Sequence, residues 1–429
     1  MTLTLTVWRL VAGLALVLAG LAGFAWFWDD DIAPAALSAT QPGSRPDQAA
    51  HGAQLALAGN CASCHTARGG QRYSGGRAID TPFGTVYAGN LTPDPDTGLG
   101  RWTSADFWRA LHHGRSKDGR RLLPAFPYTS FTQITREDSD ALFAHLRSLP
   151  PVQRANIPHA LRWPYGTPLA QALWRALYFK PGTTPPDPAQ SAEWNRGAYL
   201  VRGLGHCAAC HGARDVLGGQ RHGSAMLGSH LAHGGWYAPS LSDAAEAGVG
   251  HWPLEEVVQW LRSGVSAHGM AQGPMAEVVV RSTQHLPEAD LRAMAVYLRS
   301  LSPAAPPTSV ISNVGMQTTT AADAARLQTG EKLYGDHCAA CHGKQGQGAP
   351  GIYPALAGSR MVTMDDPGNL LRVITQGGFA PATAANPRPY GMPPFDLGHA
   401  ELAALTTYLR SAWGHRAAPV SEVQVLTRK

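Results

Sequence analysis

The sequence has little charge, and its positive charge is not clustered. Only 15% of its 429 residues are Asp, Glu, Lys or Arg, whereas about a quarter is usual in soluble proteins. The net charge is +5, and the basic residues form no run of the kind that follows a phosphate backbone. We therefore expect no nucleic-acid partner.

The composition excludes a disordered or fibrous protein. Hydrophobic residues make up 44% of the chain, enough to build packed cores. Glycine and proline are abundant, with 47 and 33 copies, so much of the chain is expected to be irregular loop. Long loops of this kind need something that holds them in place.

The chain has a single long apolar run. It extends from Leu10 to Trp28, with Arg9 before it and three aspartates after it, and it is long enough to span a bilayer. A cleaved signal peptide is the alternative, but Trp26-Phe27-Trp28 occupies the place where small residues would be needed for cleavage. We predict that residues 1–31 form a membrane anchor. By the positive-inside rule, Arg9 then places the remaining chain in the periplasm of a bacterium.

No cysteine occurs outside one repeated pattern, Cys-x-x-Cys-His. Paired cysteines could form disulfides or hold zinc, but neither role explains a histidine directly after every pair. Cys-x-x-Cys-His is the attachment pattern of c-type haem, in which two thiols bind one porphyrin edge and the histidine binds the iron. The sequence therefore predicts three covalent haems, held by the thiols of Cys61, Cys64, Cys207, Cys210, Cys338 and Cys341 and by the imidazoles of His65, His211 and His342.

The three motifs lie in three related repeats. Each repeat closes with an amphipathic helix that ends in a shared Leu-Arg-Ser sequence, at Leu146, Leu298 and Leu409. Proline-rich segments follow the first two closing helices. We predict the following organisation: anchor or signal segment 1–31, first haem domain 40–150, linker 151–190, second haem domain 191–302, linker 303–320 and third haem domain 321–415.

A second axial ligand decides whether each iron transfers electrons or binds other molecules. In the third repeat Met392, on a proline-stiffened loop before the closing helix, is predicted to be that ligand, ahead of Met361 and Met364. In the second repeat Met275 is favoured over Met270, because it also follows a Gly-Pro turn.

The first repeat lacks a methionine ligand, since no methionine occurs between Met1 and Met226. Phe126 stands where the ligand would be expected, and its side chain cannot bind iron. His113, another histidine such as His112 or His159, a side chain from a neighbouring domain, or an open iron all remain possible for this site.

These motifs resemble the triheme cytochrome c subunits of bacterial membrane-bound dehydrogenases that oxidise gluconate, sorbitol, fructose or alcohols. The segments 83–98, Trp236-Tyr-Ala-Pro-Ser-Leu241 and Gly273-Pro-Met-Ala276 are also similar to that family. The resemblance implies a mainly α-helical, loop-rich fold of three tandem class I cytochrome c-like domains behind an amino-terminal transmembrane helix.

The resemblance also implies a function. In that family the haems carry electrons from a catalytic subunit to membrane quinone or to a terminal oxidase. The Ala-Phe-Pro-Tyr segment around Phe126 is more similar to cytochromes that accompany molybdenum hydroxylases than to those of flavin-dependent dehydrogenases. We expect a non-catalytic relay on the periplasmic face of the inner membrane. The alternative is a haem enzyme that uses an open iron in the first domain.

Overall fold

A computed structural model gives the structure of the chain. It describes residues 46–220, 226–232, 234–302 and 321–428, together with Gly13, Gly20 and Gly23. The predicted anchor, apart from those glycines, and the predicted linker 303–320 lie outside these residues. In the described ranges, no helix is both long enough and apolar enough to cross a membrane.

The chain divides into two compact units. Unit 1 contains Met1–Ala56, Cys61–Pro185 and Arg214–Arg221, and unit 2 contains Leu57–Asn60, Pro186–Ala213 and His222–Lys429. The first predicted haem repeat therefore falls mostly in unit 1, and the second and third fall mostly in unit 2. Each unit is described by itself below.

Unit 1 is built from helices and one small sheet. Its helices are α1 Pro46–Ala58, α2 Cys61–Cys64, α3 Ser104–His113, α4 Tyr128–Phe131, α5 Arg136–Arg147 and α6 Pro168–Tyr178. Its antiparallel sheet has the order β1 Ala78–Thr81, β2 Gly84–Tyr87 and β3 Ala160–Leu161. Local chemistry sets the bounds of α3, because Thr103 and Asp106 cap each other at its start and Gly114 ends it in a left-handed conformation.

Unit 2 contains the elements of two repeats. Its helices are α7 Ala192–Tyr199, α8 Ala208–His211, α9 Leu254–Ser263, α10 Gly273–Arg281, α11 Glu288–Ser300, α12 Ala321–His337, α13 Ala339–His342, α14 Arg360–Thr363, α15 Gly368–Gln376, α16 His399–Ser411 and α17 Glu422–Arg428. Three antiparallel strand pairs complete it: β4 Ser229–His230 with β5 Tyr237–Ala238, β6 Val265–Ser266 with β7 Gly269–Met270, and β8 Gly378–Phe379 with β9 Gly391–Met392. The described chain is mainly helical and rich in loops, as predicted.

In every repeat a helix that precedes the haem motif packs closely on the closing helix. The contact is a glycine against a backbone carbonyl: a β-carbon on the glycine would overlap the oxygen of the facing alanine. The three pairs are Gly52 with Ala141, Gly197 with Ala293, and Gly330 with Ala404. These crossings fix the two ends of each repeat against each other, with the haem motif directly after the first helix.

The arginine of the Leu-Arg-Ser sequence has a structural role in two repeats. Arg410 is almost completely buried and donates hydrogen bonds to the carbonyl oxygens of Val362, Met364 and Ala418. Arg147 donates to the carbonyl oxygen of Gly100 at 2.5 Å. In both repeats the closing helix therefore holds the loop that leads into the middle helix. The middle helix lies between the haem motif and the closing helix, and it is α3 in the first repeat and α15 in the third.

The predicted linker 151–190 contains β3 and α6. The aromatic side chains of α6 pack inside unit 1: the Trp174 indole donates to the carbonyl of Leu217 at 3.0 Å, and the Tyr178 hydroxyl donates to Asp215 at 2.7 Å. Phe179 lies edge-on to Tyr128, with ring centroids 4.8 Å apart. This segment therefore forms part of the first unit's packing.

Candidate haem sites

Each Cys-x-x-Cys-His motif lies on a single helical turn. In all three, the backbone N–H of the histidine donates to the carbonyl oxygen of the first cysteine. The distances are 3.0 Å for His65 to Cys61, 2.9 Å for His211 to Cys207 and 2.9 Å for His342 to Cys338. Such a turn carries two side chains spaced by three residues on one face, so each thiol pair can reach one edge of a porphyrin.

The two thiols of a motif have different surroundings. The first cysteine is partly or fully buried and the second is exposed in all three motifs, and no two of the six form a disulfide. Burial raises the pKa of the Cys61 and Cys207 thiols to about 12 and that of Cys338 to about 11. These thiols are therefore neutral at physiological pH before a haem is attached.

The motif histidines share a second feature. The Nδ1 atom of His65 lies 2.7 Å from the carbonyl oxygen of Gly89, that of His211 lies 2.7 Å from Pro239, and that of His342 lies 2.9 Å from Pro354. Because a carbonyl oxygen only accepts, Nδ1 must carry the proton and Nε2 must present its lone pair. Burial also lowers the pKa of all three imidazoles. Each is thus a neutral, oriented ligand of the kind that iron requires.

The two haem sites predicted in unit 2 are parts of a single continuous cavity. Its volume is about 450 Å³, and its wall is mostly apolar. The wall includes both attachment motifs, namely Cys207, Cys210, His211, Cys338, Cys341 and His342. A cavity that brings two such motifs together suits two apolar macrocycles near each other.

An orphaned polar group supports the fit of a haem. The Trp252 side chain lines the cavity and is 7% exposed, yet its indole N–H has no hydrogen-bond partner among the described residues. A buried donor without an acceptor is costly, and a haem carries propionate groups that accept hydrogen bonds. The residues present therefore fit haem. Nothing in the spacing of the sequence singled out Trp252.

The predicted methionine ligands of unit 2 all line this cavity, and so does Met270. Met392 pairs with Gly378, and Met270 pairs with Val265. Both partners directly follow the glycine that ends the preceding helix. Backbone register thus gives Met270 the position of Met392, whereas Met275 lies in the first turn of α10. Met275 stays the prediction from sequence, with Met270 as its alternative.

The first repeat has a different residue at each of these two positions. Arg121 bridges to Arg115, which directly follows the helix-ending Gly114, so Arg121 corresponds to Met270. Phe126 follows Arg121 at the same distance at which Met275 follows Met270. Its ring contacts Phe131, with centroids 5.3 Å apart. Neither of these two positions therefore carries a methionine in the first repeat.

The histidines considered for the first site occupy different surroundings. His112 stacks on Trp108 with ring centroids 4.3 Å apart and meets His113 edge-on at 4.7 Å. His159 accepts a hydrogen bond from the backbone N–H of Tyr87 at 3.2 Å, close in sequence to the Gly89 carbonyl that orients His65. Burial lowers the pKa of His112 and of His159. His113, on the last turn of α3, stays a candidate ligand.

The family is shown by comparison with known proteins. The model of the cytochrome c family matches residues 49–150, 195–302 and 327–413, which together exceed half of the chain. Cytochrome c domains imply covalently bound haem c, which is the cofactor that the attachment pattern predicts.

Three relatives illustrate the similarity. The chain is 42% identical to a subunit of nicotinate dehydrogenase from Pseudomonas putida over 89% of its own length, and it spans about a third (32%) of that longer relative. It is 37% identical to the cytochrome c subunit of a quinone-dependent alcohol dehydrogenase of Gluconacetobacter polyoxogenes, covering 85% of this chain and 80% of the relative. It is 35% identical to the gluconate 2-dehydrogenase cytochrome c subunit of Pantoea cypripedii, covering 85% and 86%. The chain belongs to the cytochrome c family and resembles the cytochrome c subunits of bacterial dehydrogenases.

Proposed function

We propose that this chain is the electron-transfer subunit of a dehydrogenase complex and carries three covalent haems c. The observation that carries the proposal is the threefold repetition of one site: a thiol pair on a single turn, followed by a histidine whose Nδ1 is held by a backbone carbonyl. The relatives named as dehydrogenase subunits support the same role.

The residues divide the work of holding each haem. The cysteine thiols fix the porphyrin edge, and His65, His211 and His342 present Nε2 to the iron. Met392 and Met275 would each supply a thioether sulfur to one of the irons in unit 2. A bound haem would supply reversible one-electron chemistry at iron, and a methionine ligand paired with histidine would raise its reduction potential. The apolar wall excludes water, which limits competing reactions at the iron.

The place of the chain in the cell is part of the proposal. Residues 1–31 anchor it to the bacterial inner membrane, and the haem domains lie on the periplasmic face. Support comes from Arg9 before the apolar run and from the aromatic residues at the end of that run. From this position the chain passes electrons to membrane quinone or to a terminal oxidase.

The electron donor is the catalytic subunit of a dehydrogenase, with flavin or molybdenum as its cofactor. The Phe126 segment favours a molybdenum hydroxylase that acts on an aldehyde or an N-heterocycle. The 42% identity to a subunit of nicotinate dehydrogenase supports this choice, since nicotinate is a pyridine carboxylate.

The test is to solubilise native membranes gently, purify this chain through a tag, and identify the large subunit and cofactor that accompany it. We expect a molybdenum protein, and a flavoprotein would instead make the chain the relay of a sugar or alcohol dehydrogenase. Haem is quantified in the same sample. The proposal would be contradicted if the chain purifies without a partner and no dehydrogenase reduces it.

A second function is favoured by Phe126 at the position that corresponds to Met275. If the first iron has no second protein ligand, that haem can bind small molecules, and the chain would act as a haem enzyme. Carbon monoxide binding to the reduced protein separates the two functions.

A further inference from the structure

The second repeat is held by side chains of the third repeat, although a proline-rich linker separates them in sequence. Asn369, on α15, is 8% exposed and lines the shared cavity. Its side-chain oxygen accepts from the backbone N–H of Tyr237 at 2.9 Å, and its amide nitrogen donates to the carbonyl of Tyr237 at 2.7 Å. One side chain thus satisfies both polar groups of a single backbone residue.

Tyr237 lies two residues before Pro239, whose carbonyl oxygen holds Nδ1 of His211. Tyr237 is further fixed through its hydroxyl, which donates to the carboxylate of Glu246 at 3.0 Å. The backbone that orients the second repeat's iron ligand is therefore clamped by a residue of the third repeat.

A second residue of the third repeat, Arg360, also contacts the second repeat at the wall of the shared cavity. Arg360, at the start of α14, donates to the carbonyl oxygen of Gly248 at 2.7 Å and to Nε2 of His251 at 2.7 Å. Its guanidinium lies 5.2 Å from the ring centroid of Trp252, the residue whose indole N–H lacks a partner among the described residues. Both Arg360 and Trp252 line the cavity, so a permanent positive charge lies at the wall of the second site.

The first and third repeats hold the corresponding loop differently. There the arginine of the closing helix donates to the carbonyls ahead of the middle helix, through Arg147 and Arg410. In the second repeat, carbonyls ahead of α9 accept from Arg360 instead. The loop of the second repeat thus has an arginine contact that a different repeat supplies.

We propose that the haem site of the second repeat is completed by the third repeat, with Asn369 and Arg360 as positioning residues that set the reduction potential of the haem held by His211. This inference rests on the proposed haem ligation and goes beyond it, because it assigns the tuning of one site to residues of another repeat. The two residues act in opposite directions.

The physical reasons for the directions are separate. A positive charge at the wall of the site would disfavour the oxidised state of a haem held there, so Arg360 raises the potential. The Pro239 carbonyl makes the His211 imidazole more basic, which favours the oxidised iron and lowers the potential. Asn369 preserves that contact by fixing the backbone. Replacing Asn369 therefore weakens the contact between Pro239 and His211 and raises the potential.

The test is a mediated redox titration of the full-length chain with its haems, with haem content measured in each variant. R360Q is expected to shift one midpoint potential downward, R360K to restore most of that shift, and N369A to shift the same potential upward. R372Q is the matched control, since Arg372 lies on the same helix as Asn369 and donates to the second repeat at Gly235, 2.9 Å away, but does not line the cavity. R372Q is expected to leave all potentials unchanged.

The affected haem is identified with methionine variants: M392A marks the third haem, and M270A or M275A marks the second. A shift confined to the second haem supports the inference. Unchanged potentials in R360Q and N369A, or shifts confined to the third haem, would overturn it. The titration needs no dehydrogenase, so a haem-loaded chain that its partner does not reduce would count against the proposed function alone.

Discussion

Gly330 lies directly against the carbonyl oxygen of Ala404, so that the helix before the third haem motif and the closing helix touch through their backbones. The same relationship joins Gly197 to Ala293 and Gly52 to Ala141. No side chain larger than hydrogen fits at these crossings. The contact recurs in every repeat and sets where the haem motif begins relative to the closing helix.

Gly330→Ala is expected to destabilise the third repeat by about 1–3 kcal/mol, because the new methyl group must push the two helices apart. Thermal unfolding of the haem-loaded protein measures the loss. Gly335→Ala is the control, since Gly335 lies on the same helix with no neighbouring atom within 4 Å of an added β-carbon. An equal effect in the two variants would show that helix propensity, and not the crossing, is responsible.

Met392→Ala is expected to lower the reduction potential of one haem while the protein stays folded, because methionine opposite histidine raises the potential. Met361→Ala serves as the control, since Met361 lines the same cavity. A redox titration unchanged by Met392→Ala would remove Met392 as a ligand.

The second haem offers a direct choice between two methionines. If Met275 is the ligand, Met275→Ala lowers a second potential and Met270→Ala does not. The backbone register matches Met270 to Met392 instead. The opposite result is therefore a lowered potential in Met270→Ala and an unchanged one in Met275→Ala. It would show that strand pairing identifies the ligand better than the Gly-Pro turn does.

Phe126→Met is expected to close the first haem site. If the first iron has no second protein ligand, the reduced wild-type protein binds carbon monoxide at one haem and the variant loses that binding, because Phe126 occupies the position that corresponds to Met275. Absorption spectra of the reduced protein with and without carbon monoxide measure it. Phe131→Met, at the neighbouring ring, is the control. A wild-type protein that binds no carbon monoxide would end the haem-enzyme alternative, and His113→Ala would then test His113 as the ligand.

Arg410→Gln is expected to cost about 3 kcal/mol of unfolding free energy, because the buried carbonyl oxygens of Val362 and Met364 and the carbonyl of Ala418 lose a charged donor. Arg147→Gln should cost less than about 1 kcal/mol, since Arg147 is exposed. Chemical denaturation of the haem-loaded variants gives both values. Similar losses for the two arginines would contradict the importance of burial.

The haem attachment sites could be predicted from the sequence because covalent attachment requires a fixed spacing of cysteines and histidine. Two thiols and a histidine must lie on one turn to hold one porphyrin, and the closing helices repeat their Leu-Arg-Ser ending. The mainly helical fold and the cytochrome c family were therefore accessible. The helix before the first motif, α1, was not predicted, because it shares only Gly52 and Leu55 with the helices before the other two motifs.

Other parts depend on contacts between residues far apart in sequence. Nothing in the spacing of Asn369 or Arg360 indicates that they hold the backbone of the second repeat. The carbonyls of Gly89, Pro239 and Pro354 could not be predicted as histidine partners either, because every residue has a backbone carbonyl. Met270 and Met275 lie close together in the sequence, and only strand register separates their positions.

The three imidazoles are oriented by main-chain oxygens, and this makes the sites resistant to mutation in a particular way. A point substitution at the acceptor position changes the side chain but keeps the carbonyl. Insertions, deletions or a rerouted backbone are needed to remove it. These loops should therefore tolerate many amino-acid replacements but few changes in length. In a mutant library, insertions and deletions in these loops should disturb the orientation of the haem ligand, whereas amino-acid replacements should not.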